Sequence, residues 1–201
     1  MGSRMMHYAI STLLNEATGI RDDQLLIGGL APDVHKHMNE PKAKSHFAKV
    51  TAEGGWYTDY EAFGAKYFKT STTPFHLGYY YHLISDQIWL ERIYNKQIKW
   101  LPQPEKKQAQ AAYYRDFWRL NGKLIDHYGL RLLPLVPQLA EIEEIDCRFL
   151  QGILNDLTVD FMHQAEVKDE PLELLDWNEV VRVLDHTVQF CLNHAAKSNG
   201  G

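Results

Sequence analysis

At 201 residues, with 45% hydrophobic and 23% charged side chains, the chain can build one domain with a full core and is too ordinary for a disordered or fibrous protein. Its formal charge of −5 gives no general pull toward nucleic acid or anionic lipid, so neither is expected as a partner. No apolar run reaches the roughly 18 residues of a membrane span, and two cysteines, Cys147 and Cys191, are too few for a disulfide framework, which points to a reduced, cytoplasmic setting.

Taken in chain order, Met1-Gly2-Ser3-Arg4 reads as a cloning scar ahead of a start at Met5 or Met6. Met6, Ile10, Leu13, Leu14 and Ala17 then recur at helical spacing, and Gly19 closes that first helix. Asp22 and Asp23 start a second helix that carries Leu25, Leu26, Ile27 and Leu30 up to a break at Pro32. Residues 33–55 are polar and read as a long loop, the kind that in a compact domain is functional or disordered. A helix is expected over about 57–68. Ser71-Thr72-Thr73-Pro74 is an N-cap with proline in the first turn of a central helix over about 74–95. Further helices are expected over about 105–127, 138–165 and 176–196, interrupted by Pro134 and Pro137. No useful run of strand-like alternation is present. The expected fold is therefore all-α, one domain over 1–201 with six to eight helices. The central helix is expected to be flanked by the first helix and those after 105, and the site to be built mainly from residues 5–90.

The chemistry concentrates in Pro74-Phe75-His76-Leu77-Gly78-Tyr79-Tyr80-Tyr81-His82-Leu83-Ile84-Ser85-Asp86. Four helical steps leave His82 and Asp86 roughly 40° apart and about 6 Å along the axis, so both can reach one ion from the same face. An imidazole and a carboxylate buried among apolar side chains must be paired or ligated. The pair reads either as a packed, hydrogen-bonded couple or as metal ligands. Asp33, just after Pro32, and His46, within the polar stretch, favour ligation because both stand where a connecting segment can aim them. Gly78 leaves room beside His82 for another helix or a ligand. Ser45 and Tyr79 are candidates to hold an imidazole in one tautomer or, equally, to be a cap and a core residue. His35 and His37, beside Lys36, Lys42 and Lys44, read as a phosphate-holding group or a hydrated loop. Asp156, Asp160 and His163 share a helical stripe that reads as a solvated face or a contribution to the site.

The order of His7 on the first helix, Ala31-Pro32-Asp33, Ser45-His46-Phe47 and Leu77 through Asp86 resembles the zinc-dependent phospholipase C family, and more closely its bacterial relatives. The likeness covers roughly residues 5–90. It implies a phospholipase C/P1 nuclease-like helical bundle that hydrolyses phosphoesters with one or two divalent metals, zinc being the expected ion. It also implies His46, His82 and Asp86 as ligands of one metal, His7 joining Asp86 at a second, and Asp33 as a ligand or the catalytic base that activates water. The chain departs from the family in two respects. It has no N-terminal tryptophan ligand, and the His-x-x-x-Glu pair of a third metal is missing, His163 and Glu166 being three apart.

Two functions follow. One is a metal-dependent hydrolase of a small phosphoester, in a chain with neither a membrane anchor nor a nucleic-acid partner. The other is a helical binding or scaffold protein that keeps a structural or vestigial metal site.

Overall fold

In a computed structural model, residues 2–52, 54–69 and 72–198 are described, with side chains through residue 194. The fold is mostly helical. Helix α1 (Arg4–Ala17) begins at Ser3, whose hydroxyl accepts from the Met6 amide, and ends with Gly19 at φ +70°, the left-handed turn glycine adopts without a Cβ clash. Gly2, Ser3 and Arg4 pack against the fold. Ser3 caps α1, the Gly2 amide donates to Asp86 Oδ1 at 2.9 Å, and Arg4 forks between Asp156 and Asp160.

Helix α2 (Asp23–Leu30) is capped by Asp22, as its sequence requires. Pro32 does not break the chain into a loop. It sits in the first positions of a 3-10 turn, Ala31–Val34, where a missing amide hydrogen costs nothing. The stretch expected to be a loop is therefore structured: α3 (His35–Met38), α4 (Lys42–Ser45), and a hairpin of β1 (Ala48–Val50) with β2 (Trp56–Thr58), antiparallel with Lys49 opposite Tyr57. Two three-residue strands are the sheet content among the described residues and correct the expectation of no strands without changing the fold class. Helix α5 (Tyr60–Tyr67) follows.

Helix α6 (Pro74–Trp89) starts as the sequence predicts, with Thr73 capping and Pro74 in the first turn, while Ser71 of that run lies outside the described residues. It runs through a π turn, Leu90–Tyr94, into a single turn, α7 (Asn95–Gln97). Helix α8 (Glu105–Tyr128) ends at Gly129. Residues 130–146, expected to become helical from about 138, are irregular apart from turns, because Pro134 and Pro137 remove two amide donors. A 3-10 turn at Cys147–Phe149 leads into α9 (Leu150–Met162), and α10 (Trp177–Ser198) closes the described chain.

The centre is α6, but its principal partner is α2 rather than α1. The two backbones nearly touch. A Cβ on Gly78 would lie 2.0 Å from the Leu25 carbonyl oxygen, and one on Gly28 would lie 2.1 Å from that of Phe75. The room that Gly78 leaves is filled by a helix. Helices α1 and α10 also contact α6, while α8 packs on α1 and α9. Leu25, Leu26, Ile27 and Leu30 meet Tyr79, Leu83 and Ile84 in a core that is sealed from water. No helix is long and apolar enough to cross a membrane among the described residues.

Candidate metal centre

Five polar side chains are buried together at the meeting of α1, the Pro32 turn, α4 and α6: His7, Asp33, His46, His82 and Asp86. Two overlapping groups within this set have ligand atoms all within 4.8 Å of one another, His46/His82/Asp86 and His7/Asp33/His82. The four-residue step on α6 puts His82 and Asp86 on one face as the sequence predicts, and every candidate joins the same cluster. One detail differs from the expectation. The residue common to both groups is His82, lying between them, although Asp86 is also in reach of both sides: its Oδ1 is 3.2 Å from His7 Nε2 and its Oδ2 is 3.6 Å from His46 Nε2.

What decides the chemistry is the orientation of the three rings. His82 Nδ1 lies 2.8 Å from the Gly29 carbonyl, an acceptor only, so Nδ1 carries the proton and Nε2 a bare lone pair. The α2–α6 glycine contact makes that reach possible. His46 Nδ1 faces its own helix, 3.1 Å from the Lys42 carbonyl and 2.9 Å from Ser45 Oγ. His7 Nδ1 lies 2.8 Å from Ser85 Oγ, and that hydroxyl donates to the His82 carbonyl and so accepts from His7. All three Nε2 atoms are therefore lone-pair donors to a cation, and they point inward. His82 Nε2 and His46 Nε2 are 3.2 Å apart, and His46 Nε2 is 3.4 Å from Asp33 Oδ1. His7 Nε2 is buried without a hydrogen bond. Three inward lone pairs and two carboxylates converge here, with the Gly2 amide and the Lys42 ammonium as donors among the described residues; so acceptor-rich a set favours a cation, and imidazole with carboxylate suits zinc and similar divalent ions.

The electrostatics agree. Burial, then the charge of Lys42, pushes the His46 imidazolium pKa down to about 4, and burial with neighbouring His7 holds that of His82 well below its usual value. Both rings are neutral at neutral pH, as ligands must be. Burial alone would raise Asp33 and Asp86, but Lys42 overrides it and both carboxyls fall well below the ordinary range. Backbone strain stands next to the candidate ligands too. Phe47, after His46, has φ +49°, a conformation costing about 1–2 kcal/mol for a residue with a Cβ. Its ring is held edge-on to Phe63.

No family model, curated protein or solved structure matches the chain. The site therefore stands on its geometry alone.

An open cleft of about 380 Å³ borders the centre, with Arg4, Asp33, Lys36, Lys42, Tyr113 and Trp118 on its walls. Asp33 faces this cleft, while Asp86 is sealed at 0% exposure. A larger cavity, about 720 Å³ between α8 and the segment before α10, contains none of the five candidates.

The remaining sequence candidates fall in different places. Ser45 touches His46 Nδ1 and so acts on its tautomer, while Tyr79 donates to the Ser45 carbonyl at 2.5 Å and holds the backbone beside that ring. His35 is buried edge-on to His46, not on a hydrated loop, and His37 bonds Asp156 at 3.0 Å. Asp156 and Asp160 are not a solvated face but the partners of Arg4. His163, beside Glu166, is the exposed member of that stripe. Sequence reading missed three contributors. Ser85 and the Gly29 carbonyl act through hydrogen bonds that no motif encodes. Lys42, read with its basic neighbours, places its ammonium 3.3 Å from Asp86 Oδ2 and 3.8 Å from Asp33 Oδ1. Its position four residues before His46 was the available signal.

Proposed function

We propose that this chain is a metal-dependent hydrolase of small phosphoesters that holds one or two divalent ions, zinc first among them. The observation that carries the reading is the convergence of three Nδ1-anchored imidazoles, each turned inward by its own acceptor, on two buried carboxylates. His46, His82 and Asp86 would hold one ion, with His7 and Asp33 completing a second position. A divalent ion there supplies Lewis-acid polarisation of a phosphoryl oxygen and a nucleophilic water near neutrality. Asp33, the carboxylate on the cleft wall, orients and deprotonates that water. Lys36 lines the same cleft and offers positive charge to a phosphate. The likeness of residues 5–90 to the zinc-dependent phospholipase C family supports the same chemistry and a phospholipase C/P1 nuclease-like arrangement.

A second reading, a structural ion in a binding or scaffold protein, is favoured by the full burial of Asp86 and His46. Metal analysis with a screen of phosphomonoesters and diesters in zinc or manganese separates the two. Hydrolysis is expected in the wild type. Asp33→Asn should keep the ion held by His46, His82 and Asp86 and lose about 10²–10⁴-fold in turnover, whereas Asp86→Asn should lose metal. Metal without hydrolysis favours the scaffold. Hydrolysis persisting in chelated protein, or unchanged in both variants, overturns the hydrolase mechanism.

A further inference from the structure

Lys42 stands out because it serves the centre twice. Its carbonyl accepts from His46 Nδ1 and fixes that ring, while its ammonium enters the gap between Asp33 and Asp86, 3.8 and 3.3 Å from their oxygens. Among inward-facing acceptors it brings only donors and a single positive charge. Two carboxylates buried side by side with neutral imidazoles repel one another, and a tethered cation relieves that repulsion in the metal-free protein. The side chain keeps 37% of its surface exposed. It borders the open cleft on one side and, on the other, an apolar groove of about 300 Å³ formed with Ala43, Ala48, Val50 and Trp56. A four-carbon chain so placed can withdraw its charged end without unfolding α4.

We propose that Lys42 is the resident cation of the metal centre, a tethered ammonium that holds the carboxylate gap until a divalent ion displaces it, and so sets which cations the site accepts. The proposal rests on the metal-centre reading. An ammonium and a divalent ion cannot share the gap, because two positive charges a few ångströms apart repel strongly where water is excluded. A monovalent ion brings no more charge than the lysine already supplies and has the tether against it. A divalent ion that also takes imidazole nitrogen brings twice the charge and bonds the ammonium cannot form. Lys42 thereby lowers the affinity for every metal while sharpening the choice among them.

Two measurements test this. Zinc affinity is determined for wild type and Lys42→Met by competition with a chromogenic chelator, and the thermal midpoints of both are compared with chelator and with zinc. Lys42→Met should bind zinc at least tenfold more tightly. It should melt below the wild type when chelated, and gain more from zinc. The second measurement needs no variant: wild-type protein is labelled with an amine-reactive reagent with and without zinc, and each lysine is read by mass spectrometry. Zinc should raise labelling of Lys42 several-fold and leave the exposed Lys107 unchanged. Equal or weaker zinc binding by Lys42→Met, or Lys42 labelling that zinc leaves unchanged or lowers, overturns the resident-cation role alone. If neither protein binds zinc, the metal-centre reading falls and takes this role with it.

Discussion

Asp86 and Asp116 are both fully buried, and they have opposite surroundings. Asp116, on α8, faces donors. Its Oδ1 accepts from the Glu173 amide at 2.8 Å and from Arg119 at 3.2 Å, and its Oδ2 accepts from the amides of Leu174 and Leu175 at 2.8 and 2.9 Å. Every lone pair has a use, and the carboxylate pins the segment before α10 to α8. Among the described residues, Asp86 has the Gly2 amide and the Lys42 ammonium within reach, and it also faces imidazole nitrogens of His7 and His46 turned toward it as lone pairs. Burial of a carboxylate does not by itself mark a functional site. What marks one is whether the groups facing it are donors, which complete it, or acceptors, which require something between.

That difference predicts opposite responses to mutation, and the largest effect should come from the residue without chemistry. Asp116→Ala strands three backbone amides and should cost about 3 kcal/mol or more in denaturant unfolding, with no recovery on adding zinc. Asp86→Asn removes a buried charge and offers an amide group that can donate to the facing Nε2 atoms, so chelated protein should change by less than about 1 kcal/mol. Zinc should stabilise the wild type and have little effect on Asp86→Asn. Similar midpoints for Asp116→Ala and wild type, or a collapse of chelated Asp86→Asn, would break the comparison.

A smaller effect sharpens the same contrast at the level of packing. Gly78→Ala puts a methyl 2.0 Å from the Leu25 carbonyl, so the two central helices must separate. The expected cost is about 2–3 kcal/mol. Separation also draws the Gly29 carbonyl away from His82 Nδ1, so zinc affinity should fall with stability. Gly64, equally helical, is the control. A Cβ there meets Tyr80 at 3.5 Å, ordinary contact, and Gly64→Ala should be neutral or stabilising by up to about 1 kcal/mol through helix propensity. Equal effects at the two glycines in urea titration would mean that close approach is not what holds α2 against α6.

How much of this was legible beforehand follows from where each signal resides. Helices α1, α2, α6 and α8 carry their own caps and apolar periodicity, so Ser3 aside, their ends are written locally in Asp22, Thr73-Pro74 and Gly129. The meeting of the five side chains was also readable, because His82 and Asp86 are set by helical spacing, while His7, Asp33 and His46 were drawn to them by the order of motifs. The short elements over 31–58 were not readable. Three- and four-residue pieces have no periodicity to detect, and α4 and the hairpin are tied to α6 by contacts distant in sequence, from Ser45 to Tyr79, His46 to His82 and Thr58 to Gln87. The dominance of α2 over α1 as partner of α6 rests on Gly28 and Gly78 facing each other's backbones, a pairing between segments fifty residues apart that neither segment announces. The tautomer-setting contacts of Ser85 and Gly29 are of the same kind.

The smallest expected effect falls on one of those contacts. Ser85 sits between the two histidines of the His7/Asp33/His82 group, accepting from His7 Nδ1 and donating to the His82 carbonyl. Replacing it with alanine leaves every ligand in place and removes only the group that keeps the His7 proton on Nδ1. The ring can then move its proton to Nε2 and donate to Asp86 Oδ1, 3.2 Å away, which converts a ligand into a hydrogen-bond donor. Zinc affinity should fall about tenfold, the lower end for loss of a partner that orients a ligand, while chelated protein changes by no more than about 1 kcal/mol. Competition against a chromogenic chelator reads the first and urea unfolding the second. Unchanged affinity would show that His7 is not held as a ligand and would reduce the centre to His46, His82, Asp86 and Asp33. A loss as large as that of Asp86→Asn would instead mean that Ser85 organises the whole cluster, by way of the His82 carbonyl, rather than one ring.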